Sequence, residues 1–429
     1  MRIAVAGCGH GELEKMYAAL GRLEAVGNFK LDLLLICGDF QANRNSSDLL
    51  GMACPPKYRQ MCDFHKYYSG HLVAPVLTLV IGGNHEASSY FDELRYGGWL
   101  APNIYYLGTA GCYRIGDLRV AGISGIYKSI DYMKGRYETV PYDTAALHSV
   151  YHIRALDVLR LCGLRKVDVM MSHDWPTGIT AYGNEQWLRR KKPFFNEDLD
   201  SGRLGSPPTR KILDTVKPRY FFSAHLHVRF TALVPHTDGS STRFLALDKC
   251  LPNRDFLQVI ELPGESGPLR YDAEWLCILK KTLRFESTSR STCYDLPNGD
   301  DTFVGQDEVS DLLEEWQSDL IVPENFEQTA PPHDPNSPDA PLRAYDNPQT
   351  EIFLKKLRGQ EAHLENSELR GLEAFVGKSS RGSPGLTIDG DDDSQEGTES
   401  SNIVSTTLTS QTPSGKTIKR RNANVYSNE

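Results

Sequence analysis

No run of the 429-residue chain approaches the roughly 18 consecutive apolar residues that a membrane-spanning helix needs, so no membrane association is expected. Nor does the start, MRIAVAGCGHGE, sustain the apolar stretch of a secretory signal before polar residues intervene; it reads as a first strand. The nine cysteines sit at irregular spacings, which excludes a disulfide framework and favours a reducing compartment. Internal repeats are absent. Net positive charge is also absent: the chain carries −9 at pH 7. That deficit is uneven. Residues 1–262 hold 31 Lys and Arg against 26 Asp and Glu, a balance of +5, whereas the rest hold 16 against 30, a balance of −14. The acidity belongs to the C-terminal part, and the mildly basic N-terminal part suits a polyanionic substrate.

Short apolar runs bounded by Gly, Asp, Asn or His recur through the first 250 residues: Ile3–Ala6, Leu33–Cys37, Val76–Ile81, Val120–Ile123, Val167–Met171, Tyr220–Ser223 and Phe244–Leu247. Several are continuous rather than alternating, as in strands buried on both faces. Helical patterns fall between some of them, at Glu12–Ala25 and Leu147–Leu161, which makes an α/β chain with substantial parallel sheet. The pattern stops near Pro263. Helices are expected over Tyr271–Leu283 and Glu308–Gln317, and a Ser-, Thr-, Gly- and Asp-rich tail from about 377 reads as disordered. Lys419-Arg420-Arg421 in that tail is a candidate nuclear signal, with solvated tail charge as the plainer alternative.

The polar residues of chemical interest follow these runs directly. Cys8 and His10 follow the first in AVAGCGHGE, Asp39 the second in LLICGDF, and Asn84, His85 and Glu86 the third in LVIGGNHE. His173 and Asp174 follow another in VMMSHDWP, and His225 and His227 another in FFSAHLH. Ligands bind at the carboxyl ends of parallel strands, so the topology would bring these side chains to one rim. Imidazoles, one carboxylate, one amide oxygen and one thiolate are too many donors for a single tetrahedral ion. They suit two ions sharing a bridge, and a carboxylate bridges best, which singles out Asp39. A thiolate favours Fe²⁺, Zn²⁺ or Mn²⁺ over Mg²⁺ or Ca²⁺. Taken singly, a histidine after a strand is more often structural, Cys8 a small buried hydrophobe and Asn84 a turn residue. It is their joint order that points to metals.

That order resembles the calcineurin-like metallophosphoesterase superfamily. With Cys8 at the position where that superfamily normally begins its first motif with Asp, and with PPKYRQM, YYSG, YGGWLAPNIYYLG, GISGIYKS, SHDWP, FSAHLHV and FLALDKCLP, the chain is similar to the lariat debranching enzymes. The resemblance runs from Met1 to about Leu262, and more weakly through YDAEWLCIL. Gly9, between Cys8 and His10, departs from the bulkier residue expected there but removes no ligand.

The resemblance implies a β-sandwich flanked by helices (αββα) over 1–262, a smaller C-terminal domain over 263–376 and a disordered tail over 377–429. It implies that Cys8, His10, Asp39 and His227 hold one metal, that Asp39, Asn84, His173 and His225 hold the other, and that uncoordinated His85 faces the substrate as proton donor. Glu86 or Asp174 would orient a ring, the plainer alternative for Glu86 being a surface carboxylate that caps a helix N-terminus. It further implies hydrolysis of the 2′–5′ phosphodiester at the branch point of excised intron lariats, a substrate that points to the nucleus, with the cytoplasm as a second compartment. The acidic C-terminal part is open to two readings, a surface for splicing-associated proteins or a solubilising charge alone. Two segments interleave bases and aromatics, as flexible RNA requires. One runs through Tyr127, Lys128, Tyr132, Lys134, Arg136 and Tyr137, inside an implied lariat recognition loop around 125–157. The other holds Lys57, Tyr58, Arg59, Lys66, Tyr67 and Tyr68. The alternative is that the tyrosines pack inward and the cations stay solvated, which applies equally to the run Arg189-Arg190-Lys191-Lys192.

Three other functions compete. GDFQAN and GGNHE lack the flanking Asp and Arg of a protein Ser/Thr phosphatase, whereas the metal motifs alone do not exclude a phosphodiesterase of other nucleotide substrates, which the outer motifs disfavour. A non-catalytic phosphoesterase-like scaffold would have lost ligands that this sequence keeps.

Overall fold

The protein is described from a computed structural model that covers residues 1–337 and 340–359. Apart from residues 55–58, these form one compact unit. The expected tail over 377–429, with Lys419-Arg420-Arg421, lies outside the described residues.

Among the described residues, thirteen strands build two mixed sheets. In chain order they are β1 (Arg2–Ala6), β2 (Leu33–Ile36), β3 (Thr78–Val80), β4 (Gly98–Ala101), β5 (Ile104–Tyr106), β6 (Ala110–Ile115), β7 (Leu118–Ile123), β8 (Val169–Ser172), β9 (Tyr220–Ser223), β10 (Phe230–Pro235), β11 (Ser241–Ala246), β12 (Leu257–Glu261) and β13 (Leu269–Tyr271). The first sheet runs β12-β1-β2-β3-β5-β4, with β1, β2, β3 and β5 parallel. The second runs β10-β11-β9-β8-β7-β6-β13, with β11, β9, β8 and β7 parallel.

The continuous apolar runs have a direct packing reason. Successive residues of a strand face opposite sides. Ile3, Val5, Leu33, Leu35 and Leu79 meet Val120, Val169, Met171 and Phe222 of the second sheet in one core. Their alternates Ala4, Ala6, Leu34, Ile36 and Val80 form a second core with Leu13, Met16 and Leu20 of the helix Leu13–Gly27. Both faces are therefore buried, and the one polar side chain of β3, Thr78, is paired with the Tyr17 hydroxyl at 2.9 Å. Helices cover the outer faces, and the fold is the expected α/β sandwich.

The helix expected over Leu147–Leu161 is two helices, Thr144–Ser149 and Ala155–Cys162. Between them His152 bridges to Ile126 as a strand does, and the Ile153 N–H donates to the Ile126 carbonyl at 2.9 Å. Val150, Tyr151, His152 and Ile153 are weak helix formers, so tertiary pairing prevails there. Tyr271 likewise belongs to β13 rather than to the following helix. That helix is Ala273–Thr282, capped where the Asp272 carboxylate accepts the Trp275 N–H.

Residues 263–337 and 340–359 pack with the sandwich in one compact unit. Strand β13 closes the edge of the second sheet against β6. Asp272, 1% exposed, receives both Nε and Nη2 of Arg119, at 2.8 and 2.5 Å, and Arg119 Nη2 also reaches Glu274 at 2.7 Å. Removing one member of a buried ion pair strands the other, at a cost of about 3–5 kcal/mol. Asp272→Ala is therefore expected to lower the chemical-denaturation midpoint by that equivalent. A loss under 1 kcal/mol would show that the Arg119 network does not hold this region to the sheet.

Candidate metal centre

Every donor group identified in the sequence lies at the carboxyl end of a parallel strand. Cys8 and His10 follow β1, Asp39 follows β2, Asn84 and His85 follow β3, His173 follows β8, and His225 and His227 follow β9. Strands β1, β2 and β3 adjoin in one sheet and β8 and β9 in the other, so the rim is shared by both sheets.

Turning these side chains inward demands unusual backbone. His10, Asp39, His225 and His227 all adopt positive φ, between 45° and 59°, where a residue with a Cβ costs about 1–2 kcal/mol. Such strain persists only where the surroundings over-determine it and is typical of functional sites. Two glycines make room. A Cβ on Gly83 would stand 2.2 Å from Asp39 Oδ1, and one on Gly38 would stand 2.4 Å from His173 Nδ1.

The ligand atoms of Cys8, His10, Asp39 and His227 all lie within 4.8 Å of one another, and all four residues are buried. Asp39 faces two ways. Its Oδ2 lies 3.6 Å from His10 Nε2 and its Oδ1 lies 3.3 Å from His173 Nε2. His173 Nε2 is also 3.2 Å from Asn84 Oδ1, and the His173 and His225 rings are 5.0 Å apart. His173 Nδ1 meets the Cys37 carbonyl at 2.7 Å, so Nδ1–H donates and Nε2 points inward. The His225 N–H donates to Cys8 Sγ at 3.2 Å. His85 is less buried than the ligand cluster. Its ring lies 6.0 Å from that of His10, and its backbone N–H donates to Asp39 Oδ1 at 2.9 Å.

Electrostatics reflect crowding. Burial drives His10 and His225 well below the usual imidazole range despite the Asp39 charge. His173 moves upward, because Asp39 and the Cys37 carbonyl outweigh its burial. Burial would raise Asp39, yet His173 and the other rings hold it well below the usual carboxylate range. Burial, then the Asp39 charge, pushes the Cys8 thiol up. Metal ligands must shed their protons, so a bound cation and these groups favour one another. The donor set, its closeness and the space cleared by two glycines fit divalent cations.

Glu86 was expected either to orient a ring or to cap a surface helix. It does neither. Its buried carboxylate accepts the N–H groups of Phe40 at 2.8 Å, Gln41 at 2.7 Å and Gly83 at 2.8 Å, tying the loops after β2 and β3 together. Burial and the Asp39 charge push it up to about 7 against those donors. Asp174 accepts the backbone N–H of Tyr127 at 3.3 Å and of Trp175 at 2.9 Å, joining the 125–157 loop to the rim. The sequence reading passed over two neighbours: Gln41, whose Nε2 lies 3.5 Å from His10 Nδ1, and buried Lys249, whose charge acts on Cys8 and His10. The FLALDKCLP motif was the available signal for Lys249.

The RNA candidates divide. The Tyr127 and Tyr132 rings meet edge to face at 5.6 Å, and Lys128 begins the short helix after Tyr127. Lys134 pairs with Asp131 at 2.8 Å and Arg136 with Asp157 at 2.6 Å, so these cations brace the loop itself. Tyr67 and Tyr68 pack into the core, and Arg189 pairs with Glu185 and Asp200 on a solvent-facing helix.

The sandwich and its rim define a calcineurin-like phosphoesterase, and the model of that family, under that description, matches residues 1–229. A second model, the C-terminal domain of the lariat debranching enzyme, matches residues 239–361. The chain is 45% identical over 416 residues to the lariat debranching enzyme of Danio rerio, covering 92% of this chain and 72% of that one. It is 47% identical to that of Homo sapiens, covering 83% and 69%, and 45% identical to that of Arabidopsis thaliana, covering 86% and 89%. The chain belongs to the lariat debranching enzyme family.

Gly83→Ala should fold but bind markedly less transition metal than the wild type, read by plasma emission spectrometry. Undiminished metal content would show that the Asp39–Gly83 contact does not shape the site.

Proposed function

We propose that the rim side chains and His85 carry out hydrolysis of the 2′–5′ phosphodiester at the branch point of excised intron lariats. The observation that carries this reading is Asp39, which offers one carboxylate oxygen to each of two donor groups. Cys8, His10, Asp39 and His227 would hold one divalent cation, and Asp39, Asn84, His173 and His225 the other. Bound there, a cation pair supplies positive charge against the non-bridging phosphate oxygens and Lewis acidity toward water. Its identity follows from Cys8, whose sulfur favours Fe²⁺, Zn²⁺ or Mn²⁺.

The chain's own groups do the rest. The Cys37 carbonyl fixes the tautomer of His173. Glu86 holds the loops that carry Asp39 and Asn84 in register. Water gives up one proton to solvent as its oxygen bonds to phosphorus and the bond to the branch 2′ oxygen breaks, and that 2′ oxygen must gain a proton to leave. His85, at the mouth, donates it, a role worth about 10²–10⁴-fold. Tyr127, Lys128 and Tyr132 would meet the RNA by stacking and charge, with smaller parts for Lys134 and Arg136. The substrate places the enzyme in the nucleus, with the cytoplasm as a second compartment. The acidic residues beyond 262 are the region offered to splicing-associated proteins.

The test is incubation of the metal-loaded enzyme with a 2′–5′ branched RNA, a linear 3′–5′ RNA and a phosphomonoester. Cleavage confined to the branch is expected. Comparable cleavage of the linear RNA would favour a general phosphodiesterase, and metal binding without hydrolysis a scaffold. His85→Ala should keep its metal and lose about 10²–10⁴-fold in kcat. Wild-type turnover would remove His85 from the mechanism.

A further inference from the structure

The loop at 125–157 is held from behind by chain that the mechanism does not use. Its neck is closed where Gly125, at φ 88°, lies against the Tyr151 carbonyl, and within it His152 meets Asp131 at 2.7 Å. Beyond the neck, Met133–Arg136 pairs with a segment from the C-terminal region. The Cys293 N–H donates to the Met133 carbonyl at 2.7 Å, the Gly135 N–H to the Ser289 carbonyl at 2.9 Å and the Arg136 N–H to the Ser287 carbonyl at 2.8 Å. Lys134 and Thr292 form an antiparallel bridge. The segment is itself anchored: the Glu286 carboxylate binds Arg160 at 3.0 Å and the Tyr96 hydroxyl. Gly135 records how close the two chains lie. Its φ is not positive, yet a Cβ there would stand 2.2 Å from the Ser287 carbonyl oxygen and 2.8 Å from the Ser289 nitrogen.

We propose that residues 286–293 are a strap that positions the RNA-contacting loop, with Cys293 and Gly135 as positioning residues. The inference rests on the reading that Tyr127, Lys128 and Tyr132 meet the RNA. Ordering a free loop costs conformational entropy at every residue, and that cost falls on binding unless the loop is ordered beforehand. Three backbone hydrogen bonds to a segment anchored at Glu286 order it in advance. The strap touches neither the metal ligands nor His85, so its effect belongs in KM for branched RNA and not in the chemical step.

Cys293→Pro removes the donating N–H, whereas Cys293→Ala keeps it. Cys293→Pro should raise KM for branched RNA roughly tenfold, about what one hydrogen bond contributes. Its kcat and its hydrolysis of bis(p-nitrophenyl) phosphate should stay at wild-type values, and Cys293→Ala should match the wild type throughout. Gly135→Ala should raise KM likewise. Hydrogen exchange supplies a second readout, since the Gly135 and Arg136 amides should lose protection in Cys293→Pro while those of β1–β3 keep it. Lys128→Ala and Tyr132→Ala test the underlying reading separately. If they raise KM and Cys293→Pro does not, the strap is overturned alone. If they leave KM unchanged, the loop's role is overturned and the strap's with it. An equal rise for Cys293→Ala would overturn the assignment to the backbone N–H.

Discussion

Asp39 has to reach two groups of donors at once, and much of the architecture follows from that requirement. One oxygen faces His10 and the other faces His173, which lie on different sheets. A single sheet could bring Cys8, His10 and Asn84 beside Asp39 on neighbouring strands. Only a second sheet packed against the first delivers His173, His225 and His227 from the opposite side. The dry core between the sheets therefore sets the spacing of the donors as well as the stability of the fold.

Holding that geometry is costly. Four of the seven proposed ligands sit in left-handed backbone, and the rim concentrates a carboxylate, a thiol and several imidazoles in a buried space. The cost is balanced locally by hydrogen bonds that leave little freedom: the Cys37 carbonyl on His173, the Cys8 sulfur on the His225 N–H, and Glu86 across three backbone donors. Buried charge and strain with these compensations mark a site built for a cationic occupant rather than for stability.

The strands, and the position of the candidate donors at their ends, were legible in the sequence because both depend on short-range patterns. Continuous apolar runs mark strands buried twice over, and a Gly followed by Asp or Asn-His marks the turn off a strand end. What the sequence hid depends on long-range contacts. Nothing local shows that His152 pairs with Ile126 and breaks a helix, or that β13 closes the second sheet through Asp272 and Arg119. Glu86 looked like a surface cap, because its three N–H donors come from loops up to 46 residues away. Lys134 and Arg136 read as free cations because their carboxylate partners, Asp131 and Asp157, carry no special signature.

Anomalous diffraction at the absorption edges of iron, zinc and manganese, on crystals of the metal-loaded protein, tests the central claim most directly. The account predicts two peaks about 3.5–4 Å apart flanking the Asp39 carboxylate. One should be bonded to Cys8, His10 and His227, and the other to Asn84, His173 and His225. A single peak, or a pair that leaves Asp39 unshared, would contradict it.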